Sequence, residues 1–158
     1  MQIKEMSKDE IRKLENLLKK NYGARIKFKD KIFKTSEEKI WLISKEALEF
    51  DFSKVRVNSA GLYFGKLKRN EKIQLSVEGA QLVGKKARKN IAIIDEENLK
   101  KFLQGFDFSA QKLIDCDINN FILIKYGEDF VGTGILRENY IENILPKARR
   151  IFLEVKKV

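Results

Sequence analysis

An α+β fold of two modules is what this sequence predicts: an antiparallel sheet with helices over residues 1–84, then a small, closed or nearly closed β-barrel over 85–158. Three observations carry the prediction. A capped amphipathic helix opens the chain and is followed by short alternating apolar runs. Residues 91–136 read strand, helix, hairpin. The charge also divides near residue 89: residues 1–89 hold 23 basic and 12 acidic residues, and residues 90–158 hold 10 and 11.

In the first module, Ser7 with Glu10 three residues later is a capping box. Ile11, Leu14, Leu17 and Leu18 follow at helical spacing, and Asn21-Tyr22-Gly23 stops the helix. "ARIKF" (24–28), "KIFKT" (31–35) and "IWLI" (40–43) then read as strands of an antiparallel meander, with Trp41 in its core. Ser44 caps an expected short helix over 45–50. "VRVN" (55–58), "GLYFGKL" (61–67) and "KIQLS" (72–76) are expected strands. Ser76 caps a helix over 77–83 that ends at Gly84. Tyr63 and Phe64 are adjacent in a strand and so face opposite ways. One belongs to the core, and the other is placed to pack or to stack on a base.

In the second module, Ile91–Ile94 is a strand, Asp95 caps a helix, and Gly105 closes it. "FDFSAQKLIDCDINN" (106–120) reads as irregular with short extended pieces. "FILIKYGEDFVGTGIL" (121–136) is a hairpin around Gly127-Glu128-Asp129. "ENYIENIL" (138–145) reads as a short helix or turn stopped by Pro146, and "ARRIFLEVKKV" (148–158) as a last strand. A strand, a helix and about four short strands suit a small barrel.

"IAIIDEENLKKFLQGFDF" (91–108), "INNFILIKYGEDFVGTGIL" (118–136) and the closing "LPKARRIFLEV" (145–155) resemble the PUA domain, the small RNA-binding pseudobarrel of pseudouridine synthases, archaeosine transglycosylases and ribosome-assembly factors. "SAGLYFGKLKRNEKIQLSVEGAQLVG" (59–84) is similar to the pre-PUA module of two-domain ribosome-biogenesis proteins. It is also similar to the PUA-like accessory region of the Nol/Nop/Sun RNA cytosine-5 methyltransferases. The resemblance implies a PUA-like β-pseudobarrel and RNA as the partner, rRNA or tRNA. It also implies a place in rRNA maturation or RNA modification. One departure stands out: many PUA domains carry Pro-Gly in the loop after the first helix, and "FSAQKL" (108–113) has neither.

Function classes narrow by residue type. The chain has no histidine and one cysteine, so neither a zinc site nor a His-based acid–base centre is expected. Cys116 lies between Asp115 and Asp117, whose charges disfavour a thiolate. The glycines of "GLYFG" and "VGTGIL" match no phosphate-cradling loop. No catalysis, cofactor or metal is therefore expected. No apolar run approaches the roughly 20 residues that span a bilayer, and the first residues lack the apolar core of a secretory signal. With no cysteine pattern of an oxidising compartment, the cytoplasm is expected.

The net charge of +10 points to an anionic partner. The candidate RNA-binding residues are Lys66, Lys68 and Arg69 after the "GLYFG" strand, and Lys85, Lys86, Arg88 and Lys89 in "KKARK". Arg137 after the hairpin and Lys147, Arg149 and Arg150 near the end complete the set. Two other readings use the same surface: an adaptor that meets an acidic partner protein or assembly factor, and a targeting subunit for an RNA-modifying enzyme. "KKARK" is either half of such a surface or a solvated linker. With residues 90–158 at a net −1, a fragment starting near Lys89 is expected to fold as a barrel and to bind RNA weakly.

Overall fold

The computed structural model describes residues 2–29, 31–43 and 61–151. Two five-stranded sheets share a helix between them. The first runs β1 (Ile3–Glu5), β2 (Lys31–Thr35), β3 (Lys39–Ile43), β4 (Gly61–Lys68), β5 (Lys72–Leu75) in that spatial order, antiparallel throughout. The second is ordered β10 (Ile141–Asn143), β9 (Asp129–Leu136), β8 (Phe121–Tyr126), β6 (Ile91–Ile93), β7 (Lys112–Ile114). Its β6–β8 pair is parallel and the rest antiparallel. Phe108 and Ile141 exchange two backbone bonds, at 3.1 and 2.7 Å, and these tie β10 back to the chain ahead of β7. The second sheet is thereby closed into a pseudobarrel.

Helix α1 (Lys8–Tyr22) starts at the capping box expected for it. Ser7 Oγ accepts the Glu10 N–H and Glu10 accepts the Ser7 N–H. Its apolar stripe, Leu14, Leu18 and Tyr22, is buried on Ile32, Ile40, Phe64 and Ile73 of the first sheet. Full burial of each such side chain contributes about 1.5–3 kcal/mol. The Tyr22 hydroxyl donates to the Ile73 carbonyl (3.0 Å), and burial pushes its pKa up.

Helix α2 (Val77–Gly84) lies between the sheets. Ser76 caps it through the Gly79 N–H. Its buried face is small, Gly79, Ala80, Val83 and Gly84, and that permits close approach on both sides. A Cβ at Gly79 would sit 2.1 Å from the Phe64 carbonyl oxygen of β4, and one at Gly84 2.3 Å from the Phe130 ring of β9. The first core also takes in Ile91 and Leu123 from beyond residue 84. Those side chains would be uncovered in a fragment starting near Lys89, a cost that local sequence patterns do not reveal.

Helix α3 (Glu96–Gln104) fills one end of the pseudobarrel with Phe102, which meets Phe108 edge-on at 5.3 Å. Asp95 caps α3, accepting the Asn98 N–H (3.0 Å) and Asn98 Nδ2 (2.8 Å). These bonds, the backbone one first, hold the Asp95 carboxyl below the usual carboxylate range. A depressed native pKa contributes stability above the unfolded value of about 3.9, and that contribution is lost as pH falls through the native value. Asp95→Asn keeps the acceptor and removes the charge. Its melting temperature is expected to fall less steeply than the wild type's as pH drops below about 4; parallel curves would show that the cap carries no charge dependence.

Several expectations change. Residues 24–28 form no strand: Ala24 is buried, Ile26 and Phe28 pack on the first core, and the Phe28 N–H donates to Glu15 (3.0 Å). Their alternation reflects a segment laid over the core. Residues 141–143, expected in a helix or turn, pair with β9 as β10. Lys147–Arg149 is a 3-10 turn where the last strand was expected to begin. β1 was not foreseen. The expected helix over 45–50 and strand over 55–58 lie outside the described residues, as does the strand beyond Ile151.

Candidate nucleic-acid interface

The "KKARK" segment is docked on the first module by its backbone. After α2 ends, the Lys86 and Ala87 N–H groups return to Val83 and Gly84 carbonyls (3.0 and 3.2 Å). The Arg88 and Lys89 N–H groups then both donate to the Tyr22 carbonyl, at 2.8 and 3.2 Å. Tyr22 is the last residue of α1, whose final carbonyls have no partner within the helix. Gly23, left-handed at φ 65°, satisfies the Lys19 carbonyl, and Asn90 Nδ2 satisfies that of Asn21 (2.5 Å). The basic turn is thus the C-terminal cap of a helix some 65 residues earlier. The backbone is occupied, while Lys85, Lys86 and Arg88 are exposed and Lys89 is partly buried.

Capping brings a second set of cations alongside. Lys19 and Arg25, on either side of Gly23, join Lys85, Lys86, Arg88 and Lys89 around a groove of about 800 Å³ floored by Gly23 and Ala87. Among the described residues no carboxylate lines this groove and none of the six cations is in an ion pair. Elsewhere pairing is common. Lys34 meets Glu10 and Glu38, Lys20 meets Glu71, and Lys100 meets Glu96. Like charges lining one groove repel one another where salt does not fully screen them. The negative end of the α1 dipole offsets part of that. Among the described residues, the charged side chains that line the groove are all positive.

The other sequence candidates go elsewhere. Lys66, Lys68 and Arg69 lie on β4 and its turn into β5. Lys68 lines a separate groove beside Glu10, Glu38 and Glu71. Arg137 is committed to Glu142 (3.1 Å) and to the Asn119 side chain (2.9 Å). Arg150 donates to the Leu145 carbonyl (3.0 Å) and packs over Gly105. Lys147 is exposed on the 3-10 turn, and Arg149 pairs with Glu78 at 2.7 Å. Lys19 and Arg25 were missed. Their signal was the pair of lysines in the last turn of α1 and the arginine just past its glycine.

Among the described residues no three His, Cys, Asp or Glu side chains cluster as metal ligands, and no helix is long and apolar enough to cross a membrane. Cys116 is half-buried, with its thiol near the Ile91 and Ile114 carbonyls (3.3 and 3.4 Å). Burial pushes the thiol pKa up, and Asp115 and Asp117 add to the shift. Phe64 is fully buried, while Tyr63 lies half-buried against Trp41 with ring centroids 5.2 Å apart. Trp41 is thus partly covered on the outer side of the sheet, not in its core.

No family model matches the sequence, and no curated protein matches it. Several solved structures are similar in fold, two PUA proteins among them. One is a conserved PUA domain protein from Thermoplasma acidophilum, with a TM-score of 0.64 and 13% identity over 94% of this chain and 97% of that one. The other is a PUA domain from Aeropyrum pernix K1 in complex with tartrate, with a TM-score of 0.51 and 12% identity over 91% and 85% of the two chains. The chain has an α+β, PUA-like fold.

Proposed function

We propose that this PUA-like chain is a non-catalytic RNA-binding protein that grips the phosphate backbone in the groove between the end of α1 and the 85–89 turn. The observation that supports it is the groove itself: six cations with, among the described residues, no lining carboxylate and no ion pair. Phosphate neutralisation by such side chains supplies most sequence-independent affinity for nucleic acid. The resemblance to PUA pseudobarrels directs the choice of polyanion to RNA. It also suggests rRNA maturation or modification as the setting, with residues 1–84 and 85–158 as the two modules. The raised pKa of the half-buried Cys116 thiol makes it a poor nucleophile, in keeping with a binding role.

The test is a salt titration of the intact protein on a structured RNA. If all six cations meet phosphates, log affinity should fall against log salt with a slope of roughly 4–5. Weak binding with a slope near zero would overturn the reading and turn attention to an acidic protein partner.

A further inference from the structure

The 85–88 turn has a second side. Lys85 and Arg88 also line a larger cleft, of about 1180 Å³, bounded by α2 and the β8–β9 hairpin. Phe130 on β9 lies in this cleft, only partly buried. Gly84 lets the ring sit directly on the α2 backbone, since any Cβ there would meet it at 2.3 Å. Lys125 Nζ hangs over the ring, 5.5 Å from its centroid, and is in no ion pair among the described residues. The charge in the cleft is polarised. Lys85 and Arg88 stand at the turn, Glu128 and Asp129 at the hairpin tip, and Arg149 is already paired with Glu78.

From this we infer that the cleft takes one unpaired nucleotide of an RNA strand, its base stacked on Phe130 and its phosphate at Lys85 and Arg88. The inference rests on the reading of the 85–89 turn as a phosphate-binding ridge, because the same two cations face both hollows. A strand lying in the groove then needs only to cross the ridge to drop a base into the cleft. Glu128 and Asp129 repel a continuous run of phosphates, so the strand cannot follow the cleft to the hairpin tip. An aromatic face accepts any base, and a lysine already over the ring shows that this face attracts an electron-poor or cationic group. On entry of the base, Lys125 is free to swing to its phosphate.

The experiment uses the intact chain and a labelled oligoadenylate of roughly ten nucleotides. Phe130→Leu is expected to weaken binding about tenfold with an unchanged salt slope, because a stacking surface is lost and no phosphate contact is. Phe130→Tyr should bind as the wild type. If Phe130→Leu binds as the wild type while replacement of Lys85, Lys86, Arg88 and Lys89 by alanine weakens binding, the cleft holds no base and the backbone reading stands. If the quadruple variant also binds normally, the RNA-binding reading itself falls. Adenosine monophosphate binding as tightly as the strand would assign the cleft to a free nucleotide and overturn the proposal. Because Phe130→Leu loosens a packed ring, the wild-type protein supplies a second measurement. Photocrosslinks to the strand are expected on the tryptic peptide 126–137, and crosslinks confined to other peptides would refute a base at Phe130.

Discussion

Replacing Asn90 by alanine is expected to lower the unfolding free energy by about 3–5 kcal/mol, the largest stability effect of any single change at the site. Asn90 is fully buried with φ at 55°. Its side chain donates to the Asn21 carbonyl at the end of α1 (2.5 Å) and accepts the Asp117 N–H (2.9 Å). Its backbone N–H donates to the Asp115 carbonyl (3.0 Å), and its carbonyl accepts the Leu123 N–H (2.7 Å). One residue therefore joins α1, the start of β6, the loop after β7 and β8. Alanine would strand the buried Asn21 carbonyl at roughly 1–3 kcal/mol, deprive the exposed Asp117 N–H of its acceptor at about 1 kcal/mol, and hold a Cβ in the left-handed region for about 1–2 kcal/mol more.

Two companion variants separate these contributions. Asn90→Gly removes the same bonds without the backbone strain, so it should be about 1 kcal/mol milder than alanine. Asn90→Asp keeps an acceptor for Asp117 but faces a carboxylate to the Asn21 carbonyl, so it should be at least as damaging as alanine. Urea unfolding followed by circular dichroism reads all three. An alanine variant within about 1 kcal/mol of the wild type would mean that the turn is not anchored through Asn90.

The contrast between these residues shows what was legible in the sequence. Ser7 with Glu10, Ser76, Asp95 and Gly105 are local signals, and each cap was found where its neighbours placed it. The β8–β9 hairpin was legible for the same reason. β1 was not: its three residues are all exposed, and only pairing with β2, some 30 residues on, makes it a strand. Residues 24–28 carried a true alternation whose partner is the core rather than a neighbouring strand. The site divides in the same way. Lys85, Lys86, Arg88 and Lys89 stand out by composition. Lys19 and Arg25 join them only because Tyr22 accepts bonds from Arg88 and Lys89, a pairing that no local pattern encodes. Arg137 and Arg150 looked equivalent to the others as charges, but internal acceptors hold them in place.

Changing Lys85, Lys86, Arg88 and Lys89 together to alanine is expected to lower the salt slope of RNA binding by about 3, which is orders of magnitude in affinity at low salt. Stability should barely change. The turn is held by the backbone N–H groups of Arg88 and Lys89, which alanine retains, and alanine keeps the Arg88 Cβ that packs over Gly23. Relief of repulsion among unpaired cations even favours the folded variant slightly. Total charge alone could mimic the loss, since four charges leave a protein of net +10. The control removes the same number from places that do not line the groove: Lys66, Lys68, Arg69 and Lys147 to alanine. If binding is local, the control keeps most of its slope while the turn variant loses it. Equal losses in the two would mean that RNA responds to the overall field of the protein. An unchanged slope in the turn variant would leave "KKARK" as a helix cap whose side chains bind nothing.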